Sequence, residues 1–260
     1  MKVRLDAAVA AHGGITRSQA RSLIMEGRVT VDGVVAFKAG QSVAEEARIQ
    51  IERPRRFVSR GGEKLAHALT AFGIDPGALE ALDVGASTGG FTDCLLQRGA
   101  ASVTALDVGY GQLDWRLRND PRVRVMERVN FRTLPGDAFP NGFDLIVIDA
   151  SFISLRTILA RAVAYLRRDG VVVALVKPQF EAGRGRVGSG GVVRDSATHR
   201  DVLRSLREAV AAIGLVPVAL VASPLRGPAG NREFFVELRR EGAPFDDARL
   251  EAVLGEWPEP

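Results

Sequence analysis

The sequence predicts an α/β protein: a mostly parallel, doubly wound sheet with an antiparallel last strand, preceded by a small α+β module. Three observations carry this. Ala81-Leu82-Asp83-Val84 is a short apolar run that enters a glycine cluster, Gly85 to Gly90, and continues as a helical pattern from Phe91 to Gln97. Two further runs, from Phe143 and from Gly170, stay apolar until a charged residue closes them, Asp149 and Lys177. Strands covered on both faces read in this way, and charged residues at their carboxyl ends lie along the edge where such sheets bind ligands. Finally, residues 1–60 hold 11 Lys+Arg against 6 Asp+Glu, while the remainder holds 24 against 25. The positive excess sits in the first quarter, as expected for a nucleic-acid-binding module joined to a near-neutral domain.

A chain of 260 residues has room for one large α/β domain and a small appendage. Its single cysteine, Cys94, excludes an internal disulfide and any cysteine-built metal cluster. Cys94 falls in the helix after the glycine turn, where it reads as a buried filler. Met1-Lys2-Val3-Arg4-Leu5-Asp6 carries charge where a signal peptide would be apolar, so none is expected. The apolar runs are strand-length and too short to span a bilayer. The cytosol is the expected compartment.

Taken in order, residues 2–12 read as a helix with Val3, Leu5, Ala8 and Val9 on its apolar side, ended by Gly13-Gly14. Thr16 caps a second helix, Arg17 to Met25. Short strands follow around residues 28–31 and 34–36, joined by the hairpin signal Asp32-Gly33, and Arg48 to Ile51 makes a last strand. Arg4, Arg17, Arg21 and Arg28 on this scaffold suit an RNA phosphate backbone. Arg4-Leu5-Asp6, Thr16-Arg17-Ser18-Gln19-Ala20, Leu23-Ile24, Glu26-Gly27-Arg28-Val29 and Val31-Asp32-Gly33 resemble the RNA-binding domain first seen in a small-subunit ribosomal protein. The expected boundaries are 1–52 for this module, 53–58 for a basic linker containing Arg53, Pro54, Arg55 and Arg56, 59–240 for the α/β domain and 241–260 for an extension.

Phe57 to Lys64 leads into an amphipathic helix through Leu65, Leu69 and Phe72. Ser59-Arg60 before Gly61-Gly62 reads as a loop that approaches a ligand. Lys64 sits near a helix start, the unfavourable end for a cation, which hints at a functional role. The turn after Asp83 is neither a dinucleotide fingerprint, because Ser87 stands at its second glycine, nor a phosphate-binding P-loop, because no Gly-Lys-Ser/Thr closes it. Its Asp-x-Gly-x-x-x-Gly-Gly form resembles the first motif of methyltransferases that use S-adenosylmethionine. Asp107 closes the next strand about twenty residues on, where an α/β site holds ribose hydroxyls. Val123 to Met126 is a third strand, followed by Glu127 and Asn130 as candidates to reach an adenine. The expected cofactor residues are Asp83, Gly85, Ala86, Ser87, Thr88, Gly89, Gly90, Phe91, Asp107, Val108, Asn130 and Asp149.

Gly183 to Gly191 is too glycine-rich for a helix and reads as a mobile basic flap carrying Arg184 and Arg186. With Arg55, Arg56 and Arg60 these arginines complete the expected RNA contacts. A helix from Asp195 to Ile213, a strand from Leu215 to Val221 and a closing strand from Asn231 to Leu238 finish the fold. Entering antiparallel, that strand brings Glu233 to the carboxyl edge, with Glu237 as an acid farther from it.

Lys64, Asp149, Lys177 and Glu233, in that order on a Rossmann-like sheet, resemble the tetrad of the FtsJ-type ribose 2′-O-methyltransferases. Val58 to Lys64, Asp83 to Asp93, Asp149-Ala150-Ser151-Phe152-Ile153-Ser154 and Leu175 to Glu181, behind the RNA-binding module, are similar to the TlyA family and cover nearly the whole chain. The resemblance implies methylation of a cytidine ribose in small- or large-subunit ribosomal RNA, with S-adenosylmethionine as donor and ribosomal RNA as partner. Lys177 is the residue expected to act on the hydroxyl, either as a positioning ammonium, which two nearby carboxylates favour, or as a base. No metal is expected, because His12, His67 and His199 have no ligand spacing. No membrane contact is expected, and the oligomeric state, monomer or homodimer, stays open. The alternatives are a catalytically inactive ribosome-assembly factor and, from the family's other label, a membrane-active haemolysin. A base methyltransferase lacks support: strand four runs into Asp149-Ala150-Ser151-Phe152, without the Asn/Asp-Pro-Pro-Tyr/Phe of amine-directed enzymes.

Overall fold

A computed structural model describes residues 2–52 and 56–256 and divides into two units, Met1–Arg55 and Arg56–Pro260. In the first unit, strand β1 (Lys2–Arg4) runs into helices α1 (Leu5–Gly13) and α2 (Arg17–Met25). Strands β2 (Val29–Val31), β3 (Val34–Val35), β4 (Ser42–Ala44) and β5 (Ile49–Ile51) follow. β1 pairs with β4, and β3, β2 and β5 form a three-stranded antiparallel sheet. Leu5, Val9, Ala20, Ile24, Val29, Ala36 and Val43 are its core.

Two details differ from the sequence reading. The first helix starts at Leu5 rather than residue 2, because Val3 pairs with Val43 and the Leu5 and Asp6 N–H groups donate to the Gln41 and Ala39 carbonyls. β4 itself was not expected, since three residues carry no readable period. The α2 cap and the hairpin form as anticipated. Thr16 and Gln19 exchange side-chain and backbone hydrogen bonds, and Asp32 and Gly33 both take positive φ.

The second unit contains α3 (Arg60–Phe72), β6 (Glu80–Val84), α4 (Gly90–Gln97), β7 (Ser102–Leu106), α5 (Trp115–Arg118), β8 (Val123–Met126) and β9 (Phe143–Ile148). These continue into α6 (Leu155–Ala162), β10 (Leu166–Val176), α7 (Pro178–Glu181), α8 (Ser196–Ala211), β11 (Val216–Ala222), β12 (Phe234–Arg239) and α9 (Asp247–Gly255). The seven strands lie in the order β11-β12-β10-β9-β6-β7-β8, and β12 alone runs against its neighbours. Apolar clusters cover the sheet on both faces, one with Ile146, Val172 and Phe234, the other with Leu145, Val173 and Phe235. This two-sided burial is why the strands read as continuous apolar runs.

Register then sets the site. Val84 stands opposite both Leu106 and Ile148, and Val176 stands opposite Phe234. The residues just beyond those pairs, Gly85, Asp107, Asp149, Lys177 and Glu233, therefore share one edge. β12 begins at Phe234 rather than Asn231, which leaves Glu233 immediately before it. Arg60, Gly61 and Gly62 form the first turn of α3 rather than the expected loop. A Cβ on Gly90 would meet Ser59 Oγ at 2.2 Å and Gly62 N at 2.9 Å, so these glycines let α3 and α4 pack closely. α9 buries Leu250, Val253 and Leu254 in the core, an element not anticipated after residue 240. Among the described residues no helix is long and apolar enough to cross a membrane.

Candidate active site

The glycine turn is held in place by backbone contacts. Gly85 and Ala86 donate to the Leu106 carbonyl at 2.9 and 3.1 Å. Gly85 has φ +87°, and a Cβ there would lie 2.6 Å from the Asp149 carbonyl oxygen. Ser87 adopts φ +48°, the left-handed conformation that glycine takes freely. Its N–H donates to Asp107 Oδ2 at 2.8 Å, and Gly109 N–H donates to Asp107 Oδ1 at 2.7 Å. Asp107 thus organises two loops, and each of its oxygens keeps a lone pair for a further donor.

Beside this turn lies a cleft of about 530 Å³, within the usual range of ligand pockets. Of the expected cofactor residues, Gly85, Ser87, Asp107, Val108, Asn130 and Asp149 line it. Asp83, Ala86, Thr88, Gly89, Gly90 and Phe91 do not. Asp83 is buried and accepts from Thr92 Oγ1 at 2.7 Å, and Phe91 is buried against Phe235. A Cβ on Gly89 would lie 2.3 Å from Leu117. Glu127 is drawn away by Arg118, its partner at 2.6 Å, and by Gly111 N–H. The sequence reading missed Phe131, Ser151, Phe152 and Ile153, which also line the cleft. An aromatic residue, Phe152, three places after the acid that closes the strand was the available signal. Apolar Val108, Phe131 and Ile153 suit a flat ring and the Asp107 carboxylate suits vicinal hydroxyls, so the donor set fits S-adenosylmethionine.

Four charged residues meet at the sheet edge. Lys64, buried on α3, forms an ion pair with Glu233. That pairing accounts for a cation near the start of a helix. Lys177 Nζ lies 2.5 Å from Asp149 Oδ1 and donates to Ser151 Oγ at 2.8 Å. Burial raises the Glu233 pKa above the usual carboxylate range, while the charges of Lys64 and then Lys177 pull it down and that of Asp149 pushes it up. The two ion pairs therefore act on one another. A Cβ on Gly227 would lie 2.5 Å from Glu233 Oε1, so the loop before β12 closes tightly over this acid. Glu237 lies farther along β12 and pairs with Arg239 at 2.6 Å.

Arg4, Arg17 and Arg21 converge on the fully buried Asp6, at 3.0, 3.0 and 3.2 Å. Each arginine side chain remains about half exposed, so three cations are pre-arranged around one anion. Arg28 pairs with Glu26, Arg186 with Asp201, and Arg56 lies over the Phe57 ring. Arg60 is exposed. Arg55 and the Arg184 side chain lie outside the described residues. The far end of the glycine-rich 183–191 segment is tied down by Asn231, which donates to Gly191 O and accepts from Val193 N–H. Cys94 is fully buried, and burial pushes its thiol up to about 12.

Residues 57–240 match the family described as FtsJ-like methyltransferase, and residues 3–49 match the S4 domain. A 16S/23S rRNA (cytidine-2′-O)-methyltransferase TlyA of Mycobacterium tuberculosis is 48% identical over 92% of this chain and 91% of its own length. Hemolysin A of Brachyspira hyodysenteriae is 39% identical over 89% of this chain and 98% of its own. A solved structure of a hemolysin-named protein from Streptococcus thermophilus superposes with a TM-score of 0.75. It is 40% identical and covers 98% of this chain and 95% of its own.

Proposed function

Because this chain belongs to the FtsJ-like methyltransferase family, we propose that it methylates the ribose 2′-hydroxyl of a cytidine in ribosomal RNA, of one or both subunits. The S4 domain supports an RNA substrate, and the TlyA relatives support cytidine and the 2′-position. The reading implies a cytoplasmic enzyme. The single observation that carries it is Lys177 Nζ, held between Asp149 and Ser151 at the rim of the cleft.

In this reading Gly85, Ser87, Asp107, Val108, Asn130 and Asp149 hold S-adenosylmethionine. When bound, that donor supplies an electrophilic methyl group on a sulfonium that keeps the carbon–sulfur electron pair. The chain's own residues have two tasks: to hold the ribose oxygen in line and to manage one proton. Lys177, once it has lost its own proton, takes up the hydroxyl proton, and Asp149 fixes its amine. Lys64 holds Glu233, whose charge interacts with Lys177, and helps to seat the target nucleotide. The three arginines around Asp6 carry phosphate contacts that give affinity and register rather than chemistry.

The test is transfer of labelled methyl groups from S-adenosylmethionine to purified ribosomal subunits, comparing wild type with Lys177→Ala. Label in a ribose from wild type alone is expected. Label on a base, or transfer by Lys177→Ala at the wild-type rate, would overturn the assignment.

A further inference from the structure

Lys177 makes one contact that the four charged residues do not explain. Its Nζ donates to Ser151 Oγ at 2.8 Å. The Lys177 side chain is only 12% exposed, whereas Ser151 is open to solvent. The backbone on either side of Ser151 is anchored. On one side, Asp149 N–H donates to the Val84 carbonyl. On the other, the Glu181 carboxylate accepts from Ser154 Oγ at 2.8 Å and from Leu155 N–H at 2.6 Å. Phe152, directly after it, is kept at φ +64°, a strained conformation for a non-glycine residue. This held segment carries Ser151 Oγ beside Lys177 Nζ.

The chemistry leaves a proton to be cleared. A ribose hydroxyl is neutral and its methyl ether carries no proton, so each turnover releases one. Lys177 must also shed a proton before it can take another. Its two charged neighbours are poor outlets. A proton on Asp149 would cancel the charge that holds Lys177, and Glu233 is buried and committed to Lys64. Ser151 both accepts and donates, and it faces water.

Resting on the reading of Lys177 as the acceptor of the ribose proton, we propose that Ser151 is the relay through which Lys177 discharges that proton to solvent. The ribose O–H bond breaks as its oxygen takes the methyl group, and the proton bonds to the Lys177 Nζ lone pair. The ammonium then passes a proton to Ser151 Oγ while the hydroxyl's own proton moves to water. Amine and hydroxyl are both restored, and one proton has entered the solvent. Ser151 acts through Lys177, as a positioning and relay residue.

The experiment uses the full-length protein, ribosomal subunits and labelled donor, with single-turnover transfer followed from pH 6 to 10. Ser151→Ala should slow transfer roughly 10- to 100-fold near neutral pH, at the lower end of proton-transfer effects. The loss should shrink as pH rises and on adding imidazole, a small diffusible proton acceptor. Ser151→Thr, which keeps the hydroxyl, should retain the rate. Because Ser151 also lines the cleft, transfer is followed at saturating donor and subunits. Affinity for S-adenosylhomocysteine and for the subunits is measured for each variant by calorimetry and filter binding, so that a loss of binding is separated from a loss of rate. A wild-type rate in Ser151→Ala at every pH overturns the relay, as does a slow rate that neither pH, imidazole nor threonine restores. If wild type itself puts no label in ribose, the methyltransfer reading fails first and the relay falls with it. If wild type is active and Ser151→Ala is indistinguishable from it, only the relay is lost.

Discussion

Asp83 and His199 are buried residues whose protons oppose one another. One oxygen of Asp83 accepts from Thr92, and the other has no hydrogen-bond partner among the described residues. Burial raises its pKa from 3.8 to about 7, against the Thr92 bond and with a push from Asp149. His199 packs edge-on to Phe234, and burial, with the Arg232 charge, lowers its pKa from 6.5 to about 4. Folded Asp83 therefore keeps its proton where the unfolded chain has lost it. Its contribution to stability is full below about pH 4 and is lost as pH rises through about 7. His199 does the reverse: its contribution is full above pH 6.5 and is lost as pH falls through about 4. Between these limits the slopes cancel in part. Asp83→Asn, which keeps an acceptor for Thr92, should leave the His199 slope uncovered. Urea midpoints of the variant should then drop more steeply than those of wild type on going from pH 6.5 to 4. Parallel curves for the two proteins would mean that Asp83 is already ionised in the folded state.

At the scale of elements, the turn between β6 and α4 rests on one close approach. Gly85→Ala puts a methyl group 2.6 Å from the Asp149 carbonyl at a φ of +87°. That strain should cost about 1–3 kcal/mol and push β9 away from the turn. Thermal melting should report the loss, and affinity for S-adenosylhomocysteine should fall with it. Unchanged affinity would separate the turn from the cleft. The same turn marks what the sequence could convey. β6, β9 and β10 were legible because burial on both faces makes their runs apolar, and the charged residues at their ends foretold the edge that Asp149 and Lys177 share. The motif from Asp83 to Phe91 was legible as a motif but not in its division of labour. The turn aims Gly85 and Ser87 at the cleft and folds Gly89, Gly90 and Phe91 back into helix packing. Ser151 and Phe131 were hidden because their places depend on segments that meet only after folding. The short pairing of β1 with β4 was hidden for the same reason.

Across the whole molecule, charge is divided unevenly: residues 1–60 carry a net +5 and the remainder a net −1. In the first unit the excess has a defined arrangement. Asp6 accepts from Arg4, Arg17 and Arg21, and the Arg4 bond leads in holding the Asp6 carboxyl well below the usual range. Two properties of this cluster can be told apart, its charge and its geometry. Replacing all three arginines with alanine removes charge, so the slope of log affinity for ribosomal RNA against log salt should flatten by about 2 to 3, at about 0.7 to 0.9 per phosphate contact. Asp6→Asn keeps the three cations but removes the anion that gathers them. Affinity should fall at every salt concentration, while the slope stays at or above the wild-type value. Filter binding from low to moderate salt reads both effects, and S-adenosylhomocysteine affinity should stay constant if the second unit is undisturbed. A triple variant with an unaltered slope would move the phosphate contacts to other arginines. An Asp6→Asn protein that binds as wild type would mean that the three cations need no organiser.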